Sequence, residues 1–148
     1  MYRHSVAVGT SLLETISAAH FNPPQRPKAQ CLGLNRMINA SGYKVWPAEV
    51  EALMYEHHAI REVCVIGAND ARRGETVKAF VVLDSNYVGK VATDDIIAWA
   101  REHMASYKVP RIVDFVRELP KSASGKILWR QLQEEEAGRT AVSVHKGE

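Results

Sequence analysis

A lysine at the end of a short polar loop is the side chain of this sequence best suited to act on a phosphate. Residues 120–126 read Pro-Lys-Ser-Ala-Ser-Gly-Lys, and an apolar run, Ile-Leu-Trp, follows Lys126. Gly125 can adopt a positive φ, so the backbone can turn tightly just before the lysine. A compact ammonium on a flexible stem suits a reaction in which a cation reaches a phosphate and later withdraws. For a Gly-Lys pair alone, the alternative is a solvated hairpin tip with ordinary lysines.

A second segment, residues 36–51, reads Arg-Met-Ile-Asn-Ala-Ser-Gly-Tyr-Lys-Val-Trp-Pro-Ala-Glu-Val-Glu. Together with residues 121–126 it closely resembles the C-terminal domain of AMP-forming acyl-CoA synthetases, the adenylating family that includes luciferases and peptide-synthetase adenylation domains. The part of this segment from residue 41 onwards is most similar to the fatty-acyl branch. The resemblance runs from about Leu34 to about Glu135, and it rests on two separate motifs in the right order.

The resemblance implies a role for each motif. In the family, the lysine that matches Lys126 neutralises charge on the ATP phosphates and the carboxylate while the acyl-adenylate forms, with magnesium on the phosphates. The domain then rotates, withdraws this lysine and brings a second loop to the border of the pantetheine tunnel of CoA. The residues that match this second loop are Ser41, Gly42, Tyr43 and Lys44. Gly42 fits because a strand edge without a side chain can lie against a thin thiol arm, although a plain hairpin turn is the alternative.

Three further cations match positions that meet CoA phosphates in related acyl-CoA synthetases: Arg73, Lys108 and Arg111. Cationic side chains on loops are what a 3′-phosphate and a pyrophosphate need. The alternative for each is ordinary surface charge. Tyr107 can stack on an adenine or pack at a helix end. Lys44 departs from the arginine often found at its position, which keeps the charge and loses the bidentate fork.

The resemblance breaks at the junction that precedes Met37. The family places an arginine that meets the AMP ribose, and then a hinge residue, where this sequence has Gly33 and Asn35. The ribose arginine is therefore absent, and a small uncharged amide stands at the hinge position. Upstream of about Leu34 the sequence does not resemble the large domain, which in the family supplies the phosphate loop and the acyl pocket.

Composition limits the other function classes. The formal net charge is +2 over 148 residues, which gives no electrostatic case for a nucleic-acid partner. Two cysteines, Cys31 and Cys64, are too few for a disulfide framework or a zinc site, and none of the six histidines has a ligand or triad partner by spacing. No stretch approaches the apolar length of a membrane helix, and no signal peptide is convincing, so we expect a cytoplasmic protein.

The order of predicted elements indicates the fold. We expect strands at residues 37–39, 44–45, 61–66, 76–83 and 112–116. Pro47 suits the first turn of a helix that ends near His57, Thr93 can cap a second helix, and residues 128–137 read as a terminal helix. This order predicts an α+β domain with a small sheet of about three strands, packed helices and a short N-terminal β-hairpin.

We assign residues 34–137 to this domain. Residues 1–33 are an unassigned segment with a Pro-rich linker and one possible short helix around residues 12–16, and residues 138–148 form a flexible tail.

These observations predict the lid, or a fragment, of a long- or medium-chain fatty acyl-CoA ligase. We expect it to carry the adenylation lysine and the CoA-facing loops, to bind none of ATP, AMP, CoA and magnesium tightly by itself, and to be inactive without the large N-terminal domain. The alternative is a stand-alone module that docks a separately encoded large domain, or that binds CoA or an acyl carrier. The face that packs on the large domain in the family would be bare and able to self-associate.

Overall fold

A computed structural model describes residues 36–144 of the chain and the side chains of residues 36–139. The short helix and the Pro-rich linker predicted near the N-terminus, and the hinge positions 33 and 35, lie outside the described residues. The elements are, in chain order, β1 (Ile38–Ala40), β2 (Tyr43–Val45), α1 (Pro47–Met54), β3 (Ile60–Asp70), β4 (Gly74–Leu83), α2 (Thr93–His103), β5 (Ile112–Phe115) and α3 (Trp129–Val144).

Strand β4 lies at the centre of a mixed sheet. It pairs antiparallel with β3 along their whole lengths, from Ile60↔Leu83 to Asp70↔Gly74, and parallel with β5 from Lys78↔Ile112 to Val81↔Phe115. The β1–β2 hairpin joins β4 through a single pair, Ala40↔Gly74. The predicted α+β fold, a small sheet with packed helices and a short N-terminal hairpin, is confirmed, and the hairpin joins the other three strands in a single five-stranded sheet.

The central strands bury both of their faces, as the apolar run of β4 predicts. On one face, Val77, Ala79 and Val81 belong to the larger core cluster, which also contains Val50 of α1 and Ile96 of α2. The other face forms a smaller cluster whose buried members are Cys64, Ile66, Phe80, Val82, Leu119, Ile127 and Leu132. The residue that follows Lys126 is therefore part of a core, so the loop before it is fixed at its C-terminal end.

Two buried side chains cover the outer edge of β3 at Val65. The carboxylate of Glu51 accepts a hydrogen bond from the Val65 N–H (2.8 Å), and Arg36 Nη2 donates to the Val65 carbonyl. Arg36 and Glu51 pair with each other at 3.2 Å, and the Arg36 guanidinium lies over the Trp129 ring at 4.9 Å. The pair therefore satisfies the backbone N–H and carbonyl of Val65. It also covers this part of the β3 edge, and an uncovered strand edge can pair with another chain.

Strand β3 continues past residue 66, where the sequence predicts its end, to Asp70. Gly67 lies inside the strand and pairs with Val77. A Cβ there would meet Glu75 Oε1 at 3.3 Å and Ile38 Cγ1 at 3.5 Å. The glycine therefore leaves room for the side chains of Glu75 and Ile38 and does not end β3, because a glycine within a strand often marks a close approach.

The helix boundaries also differ from the prediction. Helix α1 begins at Pro47 as expected and ends at Met54, before His57. Thr93 is the first helical residue of α2, and the Asp95 carboxylate accepts a hydrogen bond from the N–H of the preceding Ala92, so the predicted Thr93 cap is wrong. Residues 138–144, assigned to the tail, are helical, which corrects the predicted end of α3. One glycine inside a helix costs only about 1 kcal/mol.

Candidate functional site

The loop that carries Lys126 is held by the backbone and hydroxyl of Ser122. The Ser122 N–H donates to the Lys126 carbonyl, and the Gly125 N–H donates to the Ser122 carbonyl, both at 2.8 Å. Ser122 Oγ accepts the Lys126 N–H at 3.2 Å and lies 2.9 Å from Ser124 Oγ. Gly125 has φ = +80°, a conformation that L-residues avoid. The loop thus has a defined backbone and presents Lys126 on the exposed surface.

The base of this loop is fastened to the start of β3. Lys121 forms an isolated antiparallel bridge with Ile127, which closes the loop, and its ammonium pairs with Glu62 at 2.6 Å. Sequence reasoning noticed the small-residue composition of the loop and did not identify Ser122 or Glu62 as the groups that fix it. A serine four residues before a lysine carries no local signal for that role.

The β1–β2 turn has the backbone predicted for a tight hairpin. Ser41 (φ = +56°) and Gly42 (φ = +88°) both adopt positive φ, as in a type I′ turn. Gly42 is exposed, and nothing lies within 4 Å of the position that its Cβ would take. Tyr43 is 58% exposed, and Lys44 is exposed as well. The tip therefore offers a bare backbone edge to the solvent.

The loop between α2 and β5 carries two of the other predicted residues. Lys108 Nζ pairs with Glu49 of α1 at 2.8 Å, and this hydrogen bond raises the pKa of Lys108. The Arg111 N–H donates to the Val77 carbonyl at 2.9 Å, and the Arg111 side chain is exposed. The ring of Tyr107 stacks on Tyr43 of the hairpin, with ring centroids 4.9 Å apart and an interplanar angle of 17°. Sequence reasoning missed both the stack and the ion pair, because their members are far apart in the chain.

Arg73 lies in the turn between β3 and β4. The Asp70 carboxylate accepts hydrogen bonds from the backbone N–H groups of Arg72 (2.8 Å) and Arg73 (3.1 Å). Gly74 then enters β4 with φ = +78°. These two hydrogen bonds to Asp70 fix the turn. The side chains of Arg72 and Arg73 are exposed at its tip.

Three of the predicted loops come together, and the Lys126 loop is separate from them. The hairpin, the Arg73 turn and the loop that ends at Arg111 meet β4 at its first residues, through Ala40↔Gly74, Asp70↔Gly74 and the bond to Val77. The Lys126 loop is fastened at Glu62, which pairs with Val82 near the end of β4. Gly74 and Val82 are eight residues apart along the strand, which corresponds to about 26 Å at about 3.3 Å per residue, and Val77 is about 16 Å from Val82.

The predicted residues lie on open surfaces. A groove of about 920 Å³ between β5 and α3 and one of about 290 Å³ between β1 and α3 are lined by other residues. Within the described part of the chain no group of three His, Cys, Asp or Glu side chains is placed to hold a metal ion. No helix within residues 36–144 is long and apolar enough to cross a bilayer. A ligand of these loops would be enclosed only if a second surface covered it.

Comparison with known sequences extends the match to named proteins. The family model of the AMP-binding enzyme C-terminal domain matches residues 49–126. The long-chain-fatty-acid–CoA ligase of Bacillus subtilis is 53% identical over 100 residues, which cover 68% of this chain and 18% of that protein. The human mitochondrial acyl-coenzyme A synthetase ACSM1 is 44% identical over 107 residues, covering 70% of this chain and 18% of that protein. The chain thus spans about a fifth of the length of the curated relatives it matches.

Solved structures of acyl-CoA synthetases are also similar to this chain. The Mycobacterium tuberculosis fatty acyl CoA synthetase superposes with a TM-score of 0.65 at 35% identity, over 72% of this chain and 20% of that one. The Brucella canis acyl-CoA synthetase has a TM-score of 0.66 at 34% identity, with the same coverage of both chains.

Proposed function

This chain belongs to the family of AMP-binding enzyme C-terminal domains of acyl-CoA synthetases, and from that premise we propose that it acts as the lid of a fatty acyl-CoA ligase. In the complete reaction, a carboxylate oxygen attacks the α-phosphorus of ATP and pyrophosphate leaves. The sulfur of CoA then attacks the acyl carbonyl and AMP leaves. The lid serves both steps, and the remaining length of such a ligase supplies the acyl pocket.

Lys126 serves the first step. Negative charge gathers on the non-bridging oxygens as the α-phosphorus is attacked, and a cation placed there lowers the barrier. The exposed position of Lys126, at the end of a loop with a fixed backbone, supports this role. Magnesium, when bound, neutralises the ATP phosphates, and the described residues of this chain offer no ligand cluster for it.

The hairpin serves the second step. The exposed backbone at Gly42 can lie against the pantetheine arm, because no side chain intervenes. Arg73, Lys108 and Arg111 belong to the other loops at the same end of β4. This arrangement offers several cations to the phosphates of one CoA molecule.

The observation that carries the proposal is the separate attachment of the hairpin and of the Lys126 loop along β4. Their attachment points, at Gly74 and Val82, lie about 26 Å apart along the strand, so we expect one pose of the domain to bring only one of the two loops to a reaction centre. A lid that rotates between the two steps presents first Lys126 and then Gly42 to the same centre. Each group then affects one half-reaction and spares the other.

The experiment uses a chimera in which residues 36–148 replace the matching domain of the Bacillus subtilis ligase. We expect Lys126→Ala to slow acyl-adenylate formation, followed by ATP–pyrophosphate exchange, by about 10²–10³-fold, the usual effect of removing one preorganised charge-stabilising donor. Conversion of preformed acyl-adenylate to acyl-CoA should stay within about 2-fold, because the hairpin serves that step.

Lys90→Ala is the matched control, since it removes an exposed cation from a loop that carries none of the proposed site residues. It should leave both half-reactions near the parent values. Equal loss of both half-reactions in Lys126→Ala would contradict the proposal.

A further inference from the structure

Two exposed tyrosines from distant parts of the chain lie face to face. Tyr43 follows the hairpin turn and is 58% exposed, and Tyr107 precedes β5 and is 38% exposed. Their rings are nearly parallel, with centroids 4.9 Å apart. Aromatic pairs in this geometry stabilise one another beyond the apolar area they bury.

The pair joins the exposed tip of the hairpin to a buried loop. The base of the hairpin is held by the backbone pair Ala40↔Gly74, by the Asn39 N–H bond to Glu75 (2.8 Å) and by the buried side chains of Ile38 and Val45. Residues 41–44, which form its tip, are exposed. By contrast, the loop of Tyr107 is held by the burial of Val109 and Pro110. The stack therefore fixes the position of the hairpin tip relative to that loop.

A second contact holds the same loop. The Lys108 ammonium lies 5.8 Å from the centroid of the Tyr107 ring and pairs with Glu49, in the helix that follows the hairpin. The aromatic pair is thus bordered by an ion pair between the same two parts of the chain. The two contacts thus hold the hairpin and the first turn of α1 against the loop that carries Lys108.

We propose that Tyr43 and Tyr107 are positioning residues for the transfer of the acyl group to CoA. The inference rests on the proposed function, because it assumes that the hairpin borders the pantetheine arm. The stack holds the Gly42 backbone in line with that arm and thereby sets the approach of the sulfur. Small displacements of groups that orient a substrate cost large factors in rate.

Direct contact of Tyr107 with the adenine of CoA is the competing role, and the two roles differ in what they depend on. A ring that binds adenine matters only when the nucleotide is present. A ring that positions the hairpin matters equally for pantetheine, which has the same thiol arm and no nucleotide. Pantetheine as the acyl acceptor therefore separates the two roles.

The first measurement concerns the full 148-residue chain and does not require catalysis. Unfolding by urea is compared for the parent, Tyr43→Ala, Tyr107→Ala and the double variant. If the rings stack, each single variant loses the same contact, so the double variant should unfold with an equilibrium constant about 2- to 12-fold smaller than the two single effects combined predict. Tyr43→Phe and Tyr107→Phe keep the rings and should match the parent.

The second measurement uses the chimera and preformed acyl-adenylate. We expect each alanine variant to lower kcat/KM for acyl transfer by about 10-fold, equally for CoA and pantetheine, and the double variant to lose little more. Acyl-adenylate formation should be unchanged, and the phenylalanine variants should restore acyl transfer.

Additive effects on unfolding, or a loss seen with CoA and absent with pantetheine, would overturn the inference. A parent chimera that fails in both half-reactions would count against the proposed function instead. The unfolding comparison on the full chain would then still decide whether the rings are coupled.

Discussion

His57 is a buried imidazole whose surroundings favour its neutral form. It is 5% exposed, and its Nδ1 accepts the N–H of Ala59 at 3.1 Å. The His58 ring stacks on it at 4.6 Å, and Trp99, itself stacked on His103, meets its edge at 5.1 Å. A proton on Nδ1 would break the bond to Ala59, so the contact and the burial both oppose ionisation.

The stability of the chain should therefore depend on pH through His57. Burial lowers the pKa of His57 from its ordinary 6.5, His58 and His103 lower it further, and Asp95 acts in the opposite sense. The unfolded chain then binds more protons than the folded one, so the free energy of unfolding falls as the pH drops below 6.5. The slope reaches at most about 1.4 kcal/mol per pH unit for one proton.

Urea unfolding between pH 7.5 and 5 measures this dependence. We expect His57→Asn to flatten it, because an amide oxygen can still accept from Ala59 and does not titrate. His58→Asn, at an exposed position, is the control and should keep most of the slope. An unchanged slope in His57→Asn would assign the dependence to other groups.

At the scale of single residues, the sequence shows a role only where that role is local. The positive φ of Gly42 and Gly125 follows from their turn context, and the structure has both. The partner of Tyr107 lies 64 residues away in the chain, as Tyr43. The burial of His57 likewise depends on α2 packing against the end of α1, which spacing along one helix does not reveal.

At the scale of elements, a buried lysine connects two strands and a helix. Lys78 of β4 has a side chain 5% exposed, and it pairs with Asp114 of β5 at 2.8 Å and with Glu136 of α3 at 2.7 Å. Its ammonium also lies 5.0 Å from the centroid of the Phe80 ring. The side chain of Asp114 is 39% exposed and that of Glu136 is 12% exposed. Water can therefore hydrate the Asp114 carboxylate more fully than the Glu136 carboxylate.

Removal of this lysine should destabilise the domain. Lys78→Met takes one hydrogen-bonding partner from the partly buried carboxylate of Glu136, which should cost about 1–3 kcal/mol in thermal or urea unfolding. Adding Glu136→Met removes that carboxylate as well and should recover part of the loss, since Asp114 can be hydrated. Lys121→Met breaks an exposed pair and should cost less than about 1 kcal/mol. A double variant less stable than Lys78→Met would show that the loss comes from packing.

Element boundaries follow from the sequence only when local signals set them. Pro47 begins α1 because its fixed φ suits the first turn, and the structure agrees. Gly67 resembles a strand end, yet pairing with β4 continues to Asp70. In the sequence, Lys78 resembles a polar interruption of an apolar strand. In the structure it stays within β4 because Asp114 of β5 and Glu136 of α3 pair with it. In both cases the strand boundary is set by pairing with distant segments and not by local residue preference.

At the scale of the whole molecule, the two candidate sites should act independently. Lys126 and Gly42 belong to loops fastened at opposite ends of β4, about 26 Å apart, and energetic effects at such distances usually add. In the chimera, Gly42→Leu should slow acyl transfer to CoA by about 10²-fold and spare adenylate formation, because a side chain would enter the path of the pantetheine arm.

Gly89→Leu is the matched control for this variant. Gly89 has φ = +76° and, like Gly42, nothing within 4 Å of a Cβ, so both substitutions strain the backbone alike. Only Gly42 lies in the hairpin, so Gly89→Leu should leave both half-reactions intact. In the double variant Lys126→Ala/Gly42→Leu, adenylate formation should slow as much as in Lys126→Ala. Acyl transfer should slow as much as in Gly42→Leu. If each change altered the other's effect by more than about 3-fold, the two loops would be acting on one step, and a lid that rotates between two poses would be the wrong description of this domain.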